Sequence, residues 1–271
     1  MIAIEIFKLF RRPRTWLTIA LLVALPTVVA ILLAITHLGP RPGQGPAFLS
    51  AVLSNGSLFS VAALAIVLPL FLPIAVAVVA GDAIAGEAQS ATLRYLLVRP
   101  VGRTRLLLAK LVAVFAFVSV TVVLVAGTGF LVGRLLLGNQ PLSAAVTSVS
   151  GSTLTPSQIA LRTVLAIGYV AFSMLGVAGI ALFLSTLTDS SLGASLGALA
   201  ILIGSSLLLT LDAAHALQPY LPTRYWLSFI DLFRDPILWR NVLRGIGLQA
   251  VYVVVSLGAA WANFATKDVT S

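Results

Sequence analysis

The 271-residue sequence contains no cysteine, which excludes a disulfide, an iron–sulfur cluster and any thiolate metal site. Its two histidines, His37 and His215, stand far apart in sequence, with no His-x-x-His pair and no cluster of carboxylates, so no metal site is expected. Charge is equally scarce: 9% of residues are charged, against about 25% in a soluble domain. No G-x-x-x-x-G-K-[ST] run occurs, so the chain lacks the familiar loop that cradles the phosphates of ATP. Ten-residue segments of alternating hydrophobicity are also missing, which argues against an outer-membrane barrel.

What fills the chain instead is apolar sequence, 59% of the residues, with a mean hydropathy of +1.08. Several runs reach the ~20 residues that cross a hydrocarbon layer. In lipid every backbone N–H and C=O needs an internal partner, so such runs are helices. The expected fold class is an all-α membrane protein, a single transmembrane domain over residues 1–271, with six spans at about 16–36, 58–80, 111–132, 163–184, 192–211 and 246–264.

The segments between the spans differ in character. Residues 1–14 mix Ile2, Ile4, Ile6, Leu9 and Phe10 with Lys8, Arg11, Arg12 and Arg14, the pattern of an amphipathic helix lying in the membrane surface. Pro13 bends the chain into the first span, whose length and lack of a small-residue cleavage site indicate a retained anchor. Residues 37–56 and 139–157 read as loops. Pro69 and Pro73 mark a kink, or the hinge of a gate, in the second span, which Gly81-Asp82 closes. Residues 212–243 carry Tyr220, Tyr225, Trp226, Phe229, Phe233 and Trp239; aromatics at this density favour the membrane–water boundary, predicting interfacial or re-entrant helices.

Six spans place both termini on one side. That side carries ten cations, clustered before the first span and between the second and third, against seven on the other. The bias predicts cytoplasmic termini, and the net charge of +9 is read as topogenic and lipid-facing, not as a nucleic-acid surface. The excess of arginine (14) over lysine (3) points to a GC-rich bacterial genome and so to the bacterial cytoplasmic membrane.

The most informative stretch is GDAIAGEAQSATLRYLLVRPVGRTRLLLAK, Gly81 to Lys110. Asp82 is suited to capping a short helix, and Glu87 to lying near its start, where negative charge is favoured. Leu93, Leu96 and Leu97 fall on one helical face, and Pro100 ends the helix because it disfavours helical geometry at Arg99. A D-x-x-x-x-E turn, then T-L-x-x-L-L-x-x-P-x-x-R, then a lysine opening the third span resembles the permease subunits of ABC-2 type ABC transporters. The matching residues are Asp82, Glu87, Thr92, Leu93, Leu96, Leu97, Pro100, Arg103 and Lys110, with Phe264 and Asp268 echoing the short F-x-x-x-D tail.

The resemblance implies a cytoplasmic coupling helix over Glu87–Pro100, in which Glu87, Thr92, Leu93, Leu96, Leu97, Arg99, Pro100 and Arg103 contact an ATP-binding subunit. It implies no cofactor in this chain, with ATP and Mg on the partner ATPase, and a second permease copy or paralogue. Export is the implied direction. Two other readings stand beside it: an ATP-independent secondary carrier or membrane-embedded enzyme, and an accessory or scaffold subunit. A carrier requires ionisable groups in the middle of the membrane, and the six spans as drawn hold none.

Three smaller patterns take plainer readings. Gly129-x-x-x-Gly133 and Gly193-x-x-x-Gly197 are helix-packing stripes. The run Gly193-Ala194-Ser195-Leu196-Gly197 fits G-x-S-x-G, yet it opens a membrane helix and not the strand-to-helix turn a nucleophile needs. Arg134, Arg162 and Asp212 lie near span ends, where long side chains reach the interface cheaply.

Overall fold

The computed structural model describes residues 1–36, 56–89, 103–137, 146–147, 150 and 152–266. Eight α-helices stand among them: α1 (Ile2–Phe10), α2 (Pro13–Thr36), α3 (Phe59–Val67), α4 (Phe71–Gln89), α5 (Arg103–Leu136), α6 (Pro156–Leu187), α7 (Ser191–Leu208) and α8 (Trp239–Thr266). Six of them, α2 and α4 to α8, are long and apolar enough to cross a membrane. With this composition and topology the protein is a multi-pass, all-α membrane protein.

The second span is two helices, not one. A 3₁₀ turn at Gly56–Leu58 leads into α3, which stops at Val67, and α4 begins at Phe71. Pro69 has no N–H to continue the ladder, whereas Pro73 sits in the first turn of α4, where no N–H is required. Pro69, Leu70 and Phe71 at the break are exposed, while Pro73 is buried.

The far end of this span also departs from expectation. Gly81-Asp82 does not close it; α4 continues to Gln89. What happens at Gly81 is subtler. The Ser185 hydroxyl of α6 donates to the Gly81 carbonyl at 2.7 Å and accepts from the backbone N–H groups of Ile84 at 3.1 Å and Ala85 at 2.8 Å. A side chain inserted at a helix ladder is one of the recognised sources of a bend.

Close approach of helix backbones organises the core. A Cβ at Gly133 of α5 would lie 2.1 Å from the Gly56 carbonyl oxygen, and one at Gly129 would lie 2.8 Å from the Ala63 Cβ. The Gly129/Gly133 stripe therefore seats α3 on α5 within the bundle. Gly81 plays the same part against Ser195 of α7, whose hydroxyl donates to the Ser191 carbonyl at 2.8 Å. Ser195 is thus a packing residue at the α4–α7 contact. Helix α6 runs through the centre and touches α4, α5, α7 and α8.

On the face opposite the N-terminus, Val146 and Thr147 pair antiparallel with Leu154 and Thr153. This short hairpin falls in the segment expected to be a plain loop. It delivers Thr155-Pro156-Ser157-Gln158, a reciprocal capping box with proline in the first turn of α6.

Residues 212–238 form 3₁₀ turns, Asp212–Ala214, Gln218–Tyr220 and Trp226–Phe233. The short helices are present, but their aromatics divide. Tyr220 and Trp239 are exposed, whereas Trp226, Phe229 and Phe233 are core residues. Tyr169 of α6 donates to the Tyr225 carbonyl at 2.6 Å, and Gln249 of α8 to the Pro222 carbonyl at 2.7 Å. Arg162, buried and not snorkelling, donates to the Arg234 carbonyl at 2.8 Å, so the segment is bolted onto α6 and α8.

Candidate functional site: an ion-pair cluster on the N-terminal face

Helix α1 is amphipathic in an inverted sense. Ile2, Ile4 and Phe7 are exposed, whereas Glu5 is buried and Lys8 pairs inward. A helix whose surroundings are lipid on one side and ionised groups on the other is expected to turn its charges in. Its junction with α2 is fixed locally. The Thr15 hydroxyl donates to the Leu9 carbonyl at 2.7 Å, and the Trp16 indole N–H to the Phe10 carbonyl at 2.8 Å.

Against this corner lie the ends of α4 and α5. Lys110 Nζ of α5 is 2.5 Å from Glu87 Oε1 of α4 and 2.7 Å from Glu5 Oε2 of α1. Lys8 Nζ meets the same Glu87 oxygen at 2.5 Å. One turn earlier on α4, Asp82 Oδ2 accepts from Arg12 at 2.8 Å and also from Arg14. Both glutamates of the sequence and two of its three lysines are therefore in one network. Lys110 and Glu87 are each only 4% exposed, a depth at which an ionised group needs a partner of opposite charge.

The cluster ties three chain segments, distant in sequence, into one block. Helix α1 and the start of α2 clamp α4 through Asp82 and Glu87, and α5 joins through Lys110. Just below, Ile84, Leu106, Leu107, Ala260 and Phe264 form a separate apolar cluster that brings in the end of α8. Phe264, the aromatic of the F-x-x-x-D tail, is thus a packing residue at this face; Asp268 lies outside the described residues.

Beside the ion pairs is a cavity of about 250 Å³. Arg12, Arg14 and Asp82 line one part of it and Val78, Val79 and Leu192 another. It exists because α2 rests on α5 and barely touches α4, while α7 packs closely on α4. Among the described residues, no group of three His, Asp or Glu side chains is placed to hold a metal ion.

The residues expected from sequence to contact a partner ATPase divide accordingly. Glu87 does not open a new helix: it lies near the end of α4, buried in the cluster. Thr92, Leu93, Leu96, Leu97, Arg99 and Pro100 lie outside the described residues. Arg103 is the first residue of α5. Pro69 lies in the break of the second span and Pro73 in the first turn of α4, at the opposite end of that helix from Glu87. What sequence reasoning missed is the pairing of Glu5, Lys8, Arg12 and Arg14 with α4 and α5. Their signal was the scarcity of acids: of eight in the chain, three stand within or beside apolar helices and need cations to match.

Residues 1–201 match the family described as ABC-2 family transporter protein. No curated protein matches the chain. The match covers the ion-pair cluster and every helix that contributes to it, and the chain belongs to the ABC-2 transporter family, as a membrane permease of ABC type.

Proposed function

We propose that this ABC-2 family permease is the membrane half of an exporter driven by a separate ATP-binding subunit, and that the connection between α4 and α5 receives the partner. The observation that carries the reading is the cluster itself. Residues 90–102 leave α4 two residues after Glu87 and re-enter α5 seven residues before Lys110, and those two side chains form a buried ion pair at 2.5 Å. A push on the connection therefore reaches α4 and α5 together, and α1 and α2 through Glu5, Lys8, Arg12 and Arg14. On α4 the motion arrives at Ser185, where the helix is already coupled to α6.

In this reading Leu93, Leu96 and Leu97 present the apolar stripe to the ATPase, and Thr92, Arg99, Pro100 and Arg103 complete the contact. ATP and Mg sit on the partner, a second permease copy or paralogue completes the path, and the termini face the cytoplasm of a bacterial cell.

The test is to purify the tagged chain gently from its native membrane and identify what accompanies it. A P-loop ATPase at near one-to-one ratio, lost from Leu96→Asp and Arg103→Glu variants that still insert normally, is the expected result. An intact, folded chain with no ATPase, or an ATPase retained by both variants with transport unchanged, would overturn the assignment.

A further inference from the structure

The cavity beside the cluster has a composition that ion pairing alone leaves unexplained. Arg12 and Arg14 both point at a single carboxylate oxygen, Asp82 Oδ2. Two guanidinium groups carry about ten N–H donors between them, so one oxygen leaves most of that donor capacity without a protein acceptor among the described residues. Across the whole cluster four cations (Lys8, Arg12, Arg14 and Lys110) meet three carboxylates (Glu5, Asp82 and Glu87). The surplus is positive, and its most exposed member is Arg14, whose side chain is 61% exposed while the carboxylates of Glu5 and Glu87 are buried.

The remainder of the lining is apolar or weakly polar. Val78 and Val79 of α4 and Leu192 of α7 continue the cavity away from the arginines, and Val78 and Leu192 are exposed at its edge. In depth, Asp82 is seven residues from the end of α4, about 10 Å at ~1.5 Å per residue. That is the level of headgroups and first methylenes in the leaflet on the N-terminal side. Both α2, through Thr15 and Thr18, and α7, through Ser191, Leu192 and Ser195, line the cavity.

We propose that this wedge is a binding site for one anionic glycerophospholipid, its phosphate on Arg12 and Arg14 and its acyl chains leaving past Val78 and Leu192. The phosphate supplies the acceptor oxygens that two arginines sharing one carboxylate lack, and the planar guanidinium fork can engage two of its tetrahedrally arranged oxygens at once. The glycerol and first methylenes occupy the apolar part, and the lipid fills the gap between α2 and α4. It is a resident ligand of the folded chain and does not depend on which partner the transporter uses.

The experiment is native mass spectrometry and thermal unfolding of the full chain, with any subunit that co-purifies, in nanodiscs of phosphatidylglycerol or phosphatidylcholine. The expected result is one phosphatidylglycerol retained per chain through delipidation and no phosphatidylcholine. Arg14→Gln should weaken retention about fivefold, the worth of one basic residue beside an anionic lipid surface. Val78→Trp, which fills the apolar part and leaves every charge in place, should abolish it. Arg134→Gln, on the opposite face, should change nothing. Equal retention of both lipids, or phosphatidylglycerol retained by Arg14→Gln and Val78→Trp alike, would reduce the site to ordinary annular lipid and overturn the proposal. So would stabilisation by inorganic phosphate equal to that by the lipid, since the apolar part would then be idle. A chain that holds no lipid but crosslinks through a cysteine placed at Leu192 to a second copy would assign the opening to a protomer contact and likewise refute it.

Discussion

Lys110→Met is the most informative single change, because it removes one charge from the least exposed part of the network. Methionine keeps much of the length and apolar contact of the lysine stem. What is lost, among the described residues, is the only cation that Glu5 meets and one of the two paired with Glu87. Leaving a buried carboxylate without its partner costs roughly 3–5 kcal/mol. Lys8→Met breaks a pair on the same Glu87 oxygen, but the Lys8 side chain is 42% exposed, and such a pair contributes about 1 kcal/mol or less. At about 2–4 °C per kcal/mol for a chain of this size, Lys110→Met should lower Tm by roughly 10 °C and Lys8→Met by roughly 4 °C at most. Thermal unfolding in detergent, followed by tryptophan fluorescence, reads both. The triple variant Glu5→Gln, Glu87→Gln, Lys110→Met should regain most of the loss, since neutral groups need no cation. Equal losses for Lys110→Met and Lys8→Met, or no recovery in the triple, would refute a buried charge network.

Three further outcomes test other parts of the structure. Ser185→Ala removes the hydroxyl between Gly81 and Ala85 and should cost about 1–3 kcal/mol, with faster hydrogen exchange at the Ile84 and Ala85 amides than at their neighbours. Gly133→Leu should separate α3 from α5 and prevent recovery of folded protein, because its Cβ alone would sit 2.1 Å from a backbone oxygen, whereas Gly127→Ala, with nothing within 4 Å, should express and melt normally. Tyr169→Phe leaves the Tyr225 carbonyl without its donor and should lower stability by about 1 kcal/mol, seen as increased proteolysis within residues 212–238 before global unfolding.

The spans were legible because their signal is length and hydropathy, which lipid enforces without regard to tertiary detail. Their ends were not. Gly81-Asp82 looked like a stop because an aspartate in an apolar helix is costly unless matched, and its match, Arg12 and Arg14, lies about seventy residues away. The same distance effect hid Glu87, read as a helix start and found near a helix end beside Lys110. Pro69 and Pro73 were seen as a kink, yet which of them breaks the chain depends on where the next helix begins, and α4 absorbs Pro73 in its first turn. Composition places Trp226, Phe229 and Phe233 at the membrane boundary. Their burial follows from the backbone bonds to Tyr169 and Gln249 that hold the segment on α6 and α8, and no local pattern announces those. The Thr155–Gln158 capping box, by contrast, is readable from four residues, although it straddles the end of a segment whose composition reads as a loop.

The order in which the charged residues occur has a consequence for biosynthesis. Every member of the ion-pair network, from Glu5 to Lys110, lies in the first 110 residues of the chain. The network can close as soon as α5 emerges into the membrane, while α6, α7 and α8 have yet to be made. Once Lys110 is held between Glu5 and Glu87, the N-terminus, the end of α4 and the start of α5 are committed to the same leaflet. The nine-residue α3, too short to be recognised as a span alone, is carried in with α4. The cluster's sequence order would thus let it serve as an early latch on orientation, available to the nascent chain before the remaining helices arrive.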